Sequence, residues 1–186
     1  MMVHRVLCRR FVAGLAVCAS VFVVTGDGVR AAQSAQAFSC PADAKPANFN
    51  FTLKDVDGKD VQLASFKGRV VLLDFWATWC APCKVEIPWF VEYQTRLGPR
   101  GFQVVGISVD DETAQVKPFM TRMKMNYPVL LGANRDDLQQ AYGPLEVFPT
   151  TMLIDRQGRV CATHYGLTVK EAFDVQIAGL LGEAAP

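Results

Sequence analysis

An α/β fold with a mixed central sheet is predicted by three observations. Val70 to Leu73 is an unbroken apolar run, the pattern of a strand buried on both faces, and it passes through Trp79-Cys80-Ala81-Pro82-Cys83 into apolar residues at helical spacing (Ile87, Phe90, Val91, Leu97). After the stop Gly98-Pro99-Arg100-Gly101, Phe102 to Val109 is a second mostly apolar strand, so strand, helix and strand form a βαβ unit with parallel strands and a right-handed crossover. Thr150 to Ile154 and Arg159 to Tyr165 are joined by the turn Asp155-Arg156-Gln157-Gly158, which adds a hairpin.

Taken in order, the chain opens with an export signal over residues 1–37. Arg5, Arg9 and Arg10 form a positive start, Phe11 to Thr25 an apolar core, and Ala35-Gln36-Ala37 a small-residue cleavage pattern before Phe38. An uncleaved membrane anchor over residues 11–25 is the alternative, although that run is short of the roughly 20 residues a comfortable span needs. Residues 38–48, with Pro41 and Pro46, read as an extended lead-in to a domain over residues 49–182. Phe49, Phe51 and Leu53 alternate, predicting a half-buried strand over Asn48 to Leu53. Asp57-Gly58 predicts a tight turn, Lys59 to Leu63 a returning strand, and Ser65 to Gly68 a connecting turn.

Between Asp110 and Gly143 the pattern predicts a helix, a short strand over Pro128 to Leu131, and a second helix over Asp136 to Tyr142. Pro118 places the regular part of the first helix from that residue onward, since proline is tolerated in a first turn. Pro149, just before Thr150, reads locally as an edge-strand proline. Thr168-Val169-Lys170-Glu171 has the form of a capping box, and Phe173, Ile177 and Leu180 with Leu181 continue it as a last helix, with Glu183 to Pro186 frayed.

The chain is 186 residues long with half of them hydrophobic, enough for one well-filled core. Its formal charge of +1 conceals an uneven distribution: the first 37 residues hold four arginines and one aspartate, leaving 15 basic and 17 acidic residues, a net of −2. No basic stripe remains, and nucleic-acid binding is set aside.

The chemistry lies in Cys80 and Cys83. A buried strand that enters a helix through C-x-x-C puts the first sulfur at a helix N-terminus, where unpaired N–H groups and the positive end of the dipole favour thiolate. Cys80 is therefore expected to be the nucleophile, and Cys83, one turn later and facing inward, the resolving thiol. A zinc site would need two further ligands nearby, and no second C-x-x-C or H-x-x-x-H supplies them. No metal and no cofactor is expected beyond the redox-active disulfide. With Cys8 and Cys18 in the signal, Cys40 and Cys161 remain, outside the reducing cytoplasm. A bridge between them would close a loop of about 120 residues, worth roughly 5 kcal/mol at most on chain entropy. A buried free Cys161 with a mobile Cys40 is the alternative.

The stretch Asp74 to Cys83 resembles the thioredoxin superfamily. The chain from about Phe49 to Leu181 is similar to the extracytoplasmic TlpA/ResA branch, an AhpC/TSA–redoxin-like domain, with a hairpin at Asn48 to Leu63 and an insert at about Thr113 to Gly143. The resemblance implies a thioredoxin-like three-layer fold with a mixed central sheet, an N-terminal β-hairpin and an inserted α/β segment. It implies that Pro149 is the cis-proline facing the disulfide and that Pro88 is the proline inside the redox helix. Trp79, Pro82, Phe148 and Thr150 then line the substrate-docking surface. Two carboxylates are candidates to take the Cys83 proton: Asp74, where thioredoxins carry a buried aspartate, and Glu86, matching a glutamate of the ResA type. Having both sets this chain apart from a branch that more often carries asparagine at the first position. A buried, unpaired carboxylate has a raised pKa suited to accepting a proton at neutral pH. Trp76 reads as core, His164 as structural or exposed, and Met120, Met123 and Met125 as packing.

The resemblance further implies a periplasmic or otherwise extracytoplasmic thiol:disulfide oxidoreductase, a monomer that reduces protein disulfides in cytochrome c maturation or copper-site assembly. Its electrons would come from a membrane donor of the CcdA/DsbD type. The runner-up is a copper-binding chaperone using the same cysteine pair. A peroxidase would need a P-x-x-x-T-x-x-C setting that Asp74 to Cys80 does not supply.

Overall fold

The computed structural model describes residues 38–110, 113–143 and 145–183; the export signal and the alternative anchor lie outside them. Among the described residues no helix is long and apolar enough to cross a membrane.

Among the described residues, seven strands and four α-helices follow in the order β1 (Thr52–Lys54), β2 (Asp60–Gln62), β3 (Val70–Trp76), α1 (Ala81–Leu97), β4 (Phe102–Ser108), α2 (Thr113–Met123), β5 (Val129–Leu131), α3 (Asp136–Tyr142), β6 (Thr150–Ile154), β7 (Val160–Tyr165) and α4 (Lys170–Leu181). The main sheet has the order β5-β4-β3-β6-β7, parallel from β3 through β4 to β5 and antiparallel from β3 through β6 to β7. β3 is central and buried along its whole length, as its apolar composition demands. Because side chains alternate along a strand, it feeds two cores. Val70, Leu72 and Trp76 pack with Ile87 and Phe90 of α1, Val116 and Phe119 of α2, and Phe173 and Ile177 of α4. Val71, Leu73 and Phe75 pack on the other face with Phe51, Leu53, Leu138 of α3 and Tyr142. This is the expected three-layer arrangement, with the inserted α2 and α3 on opposite faces.

Several expectations need correction. Phe49, Phe51 and Leu53 are buried in alternation as read, but β1 is ladder-paired only over Thr52–Lys54, because its partner β2 is three residues long. Leu63–Phe66 is a 3₁₀ turn rather than strand followed by open turn, and it buries Leu63 and Phe66. Helix α2 begins at Thr113 and carries Pro118 in its interior. The proline removes one bond, to the carbonyl of Ala114, and Ala114 is exposed so that water can replace it. Pro149 follows a cis peptide bond and precedes β6, which lies between β3 and β7 and is no edge. The capping box does not form. Val169 is the N-cap residue of α4 and, having no polar side-chain atom, makes no cap, while the Thr168 N–H is given to Glu86. Glu183 is held by an ion pair to Arg100 and by its N–H on the Ala178 carbonyl; residues 184–186 lie outside the described part.

The lead-in runs along the free edge of β7. The Val160 N–H donates to the Lys45 carbonyl and the Ala47 N–H to the Gly158 carbonyl, each at 2.8 Å. Its start lies on α4 at Gly179, where a Cβ would come within 2.1 Å of the Phe38 carbonyl oxygen, so only glycine leaves room. Cys40 and Cys161 are joined by a disulfide with an S–S distance of 2.03 Å. The strap covers a strand edge that would otherwise offer unpaired backbone groups.

Candidate active site

β3 delivers the chain to the surface, and the turn Ala77 to Cys80 converts it into α1. The Cys80 N–H donates to the Ala77 carbonyl at 3.2 Å, and Cys80 is the N-cap residue of α1, its sulfur accepting from the Cys83 N–H at 3.2 Å. Pro82 falls in the first turn, where an N–H has no helical partner, so its ring costs nothing. Cys80 and Cys83 form a disulfide with Cα atoms 5.4 Å apart, and both are buried. The Cys80 sulfur thus lies at the positive end of the helix, with a backbone N–H aimed at it.

Behind the disulfide two carboxylates are buried, each 1 % exposed. Asp74 projects from β3 to the α1 face; its Oδ1 accepts from the Thr151 hydroxyl at 3.1 Å and its Oδ2 accepts from no described group. Burial pushes its pKa well above the usual carboxylate range, the charge of Glu86 pushes the same way, and the Thr151 bond opposes them. Glu86 shares the inward face of α1 with Cys83. Its Oε1 accepts from the Thr168 N–H at 2.7 Å and its Oε2 accepts from no described group. Burial pushes its pKa up to about 7, partly offset by that N–H. Tyr127 is also buried here, its hydroxyl pushed up by burial and by the Asp74 charge. Neither carboxylate is the solvated surface acid that a first-turn glutamate or a turn-capping aspartate would be.

The residues flanking the disulfide include exposed apolar side chains beside a polar cleft. Trp79 is 65 % exposed and meets Phe148 edge-on at 5.9 Å, and a cleft opens beside them, lined by Asn134, Arg135, Asp136 and Gln139 as well as Leu145. Val147 flanks the cis-proline. The Gly166 N–H donates to the Pro149 carbonyl at 2.7 Å, which ties the segment carrying the exposed Leu167 and Val169 to the cis-proline, and Val85 is exposed on α1. Thr150 departs from its expected role in docking. It is fully buried and its hydroxyl donates to the Val147 carbonyl at 2.6 Å, so it braces the proline turn and offers no side chain to a partner.

Trp76 is fully buried. His164 bonds Gln176 at 2.8 Å and stacks edge-on against Phe173, a packing role. Met120, Met123 and Met125 lie against the α1-side core. Among the described residues, Cys40, Asp155 and Cys161 bring three potential metal-ligand atoms within 4.8 Å of one another. The two sulfurs are bonded to each other and Asp155 is held by Arg159 at 2.7 Å, so these residues do not fit a metal ion.

Thr168 serves Glu86 rather than a cap, and Thr78, Ser108 and Asp110 form a polar cluster that no catalytic motif in the sequence announces. Asp110 caps the end of β4 and bonds Thr78 beside the redox turn. The signal available was a Ser-x-Asp at the end of an apolar strand that the βαβ topology brings beside the C-x-x-C.

Comparison with known proteins is consistent with this geometry. Residues 44–163 match the AhpC/TSA family. The thiol-disulfide oxidoreductase ResA of Bacillus thuringiensis subsp. konkukian is 32% identical over 125 residues, 67% of this chain and 71% of the relative. ResA of Bacillus subtilis is 38% identical over 111 residues, 60% of this chain and 61% of the relative. Among solved structures, a thiol:disulfide interchange protein of the thioredoxin family from Chlorobium tepidum TLS has a TM-score of 0.66 at 36% identity, covering 76% of this chain and 100% of that one.

Proposed function

This chain belongs to the AhpC/TSA family and is a thiol–disulfide oxidoreductase; within that activity we propose that it reduces protein disulfides outside the cytoplasm, with Cys80 as nucleophile and Cys83 as resolving thiol. The Cys80 thiolate attacks a substrate disulfide, one substrate sulfur leaves as thiolate, and the other is held in a mixed disulfide. Cys83 then gives its proton to the buried carboxylate pair, Asp74 or Glu86, and its thiolate attacks the Cys80 sulfur. The substrate leaves with both cysteines reduced, and the Cys80–Cys83 disulfide is the oxidised product. A thiol donor in the membrane, of the CcdA/DsbD type, restores the dithiol. Cytochrome c maturation or copper-site assembly is the setting we favour, with export by residues 1–37 and a monomer as the working unit.

The observation that carries this reading is a disulfide at a helix N-terminus backed by two carboxylates with raised pKa values and no full set of partners. The exposed apolar side chains of Trp79, Val85, Val147, Leu167 and Val169 support a polypeptide as substrate. Pro149, which follows the cis bond and is itself buried, is the residue we assign to facing the incoming chain. The deciding measurement is the reduction potential of the Cys80–Cys83 couple. A value near that of thioredoxin, about −270 mV, is expected; one near about −120 mV would make the protein an oxidant and overturn the direction.

A further inference from the structure

We propose that Asp110 is a positioning residue for the redox turn: its carboxylate fixes the backbone at Thr78, and through it the placement of Trp79 beside the Cys80–Cys83 disulfide. The regular β3–β4 ladder ends at the pair Trp76 and Ser108, and the Val109 N–H extends it by one bond to the Trp76 carbonyl at 2.9 Å. Past that point the chain from Ala77 to Cys80 has left the sheet. Asp110, 5 % exposed at the end of β4, reaches across to it. The Thr78 N–H donates to both carboxylate oxygens, at 3.0 and 2.9 Å, and the Thr78 hydroxyl donates to Oδ1 at 2.6 Å. The Ser108 hydroxyl donates to Oδ2 at 2.8 Å and accepts from the Asp110 N–H at 3.3 Å. Every donor of Thr78 therefore ends on one ion, and hydrogen bonds to a carboxylate are about twice as strong as neutral ones.

The consequence falls on Trp79. Trp79 is 65 % exposed and, among the described residues, its ring contact is with Phe148. A side chain so weakly packed takes its direction from its backbone, and the residue before it is the one Asp110 holds. The Ala77 carbonyl that accepts the Cys80 N–H belongs to the same turn. Loosening Thr78 therefore disturbs the surface that meets a partner protein more than it disturbs the sulfur chemistry.

This inference rests on exchange of Cys80 with protein disulfides, and wild-type reduction of insulin is the control for that reading; the ratio of variant to wild type tests Asp110. Two probes separate docking from sulfur reactivity: insulin as a protein disulfide and 5,5′-dithiobis(2-nitrobenzoate) as a small one. In Asp110→Asn, kcat/KM for insulin is expected to fall about tenfold while the small disulfide reacts within about twofold of wild type. Thr78→Val keeps the backbone bond and loses the hydroxyl, and an insulin-specific loss of about threefold is expected, restored in Thr78→Ser. Equal losses with both probes, or an unchanged insulin rate in a folded Asp110→Asn, would overturn the proposal. Should Asp110→Asn fail to fold, the Thr78 pair decides it: equal insulin rates in the valine and serine variants would end the idea.

Discussion

Cys80–Cys83 and Cys40–Cys161 are the same covalent bond in opposite settings. The first spans three positions and the second 121. Closing three residues removes little freedom from an unfolded chain, so the first bond adds little to stability and is cheap to open. The second closes nearly the whole domain, and breaking it releases a large loop entropy on unfolding. Their neighbours differ as well. Near Cys83 lie Asp74 and Glu86, carboxylates with spare lone pairs and raised pKa values. Near Cys161 lies Asp155, both of whose oxygens are committed to Arg159 and the turn Asp155–Arg159. A reactive disulfide needs a place for a proton and a surface for a partner; a structural one needs neither. On the proposed reading Cys80–Cys83 is the reactive bond and Cys40–Cys161 the structural one, and environment, rather than the bond, separates them.

The largest expected effect breaks that comparison if it fails. Cys80→Ser is expected to lose insulin reduction on the order of a thousandfold or more, while Cys40→Ser with Cys161→Ser retains it in the folded protein. Equal loss in both would put the two disulfides in one class. Next in size is stability: in urea unfolding the Cys40→Ser, Cys161→Ser protein is expected to lose up to about 5 kcal/mol, less whatever the backbone bonds of the strap retain. A loss confined to a few tenths would show that the strap is held by hydrogen bonds alone.

The carboxylates sharpen the comparison. Asp74→Asn and Glu86→Gln are each expected to slow resolution of a mixed disulfide at pH 7 by about tenfold to a hundredfold, read by stopped-flow decay of the Cys80 adduct. An inflection near pH 7 in that rate should vanish in Glu86→Gln; a profile unchanged in both variants removes the base role. The last effect is on folding. Glu86 is pushed up from 4.5 to about 7, so the folded chain holds that proton more tightly than the unfolded chain. Ionising it opposes folding, and stability falls as pH climbs through that window. Glu86→Gln should flatten the slope in urea midpoints measured from pH 4.5 to 7, and a slope left intact would assign the window to other groups.

Much of the fold was legible because its signals are short-range. The apolar run at Val70, the βαβ spacing and the hairpin turn at Asp155 to Gly158 all hold in the structure. Pro118 misled because proline's penalty depends on whether water reaches one carbonyl, which sequence does not display. The capping box at Thr168 misled for a sharper reason. Its N–H had two possible acceptors, Glu171 three residues away and Glu86 eighty-two away, and the distant one holds it. Asp110 is hidden in the sequence in the same way, as its partner Thr78 is 32 positions back.

By itself the sequence determined the cysteine pair, its place between a buried strand and a helix, and the presence of two acids within reach in the chain. Those features depend on spacing and hydrophobic period. Tertiary structure decided which polar groups are cut off from water and which partners they meet: Asp74 with Thr151 across β6, Glu86 with the chain before α4, Asp110 with the redox turn. The proton affinity of a buried carboxylate is set by every element packed around it, and no local pattern records that sum.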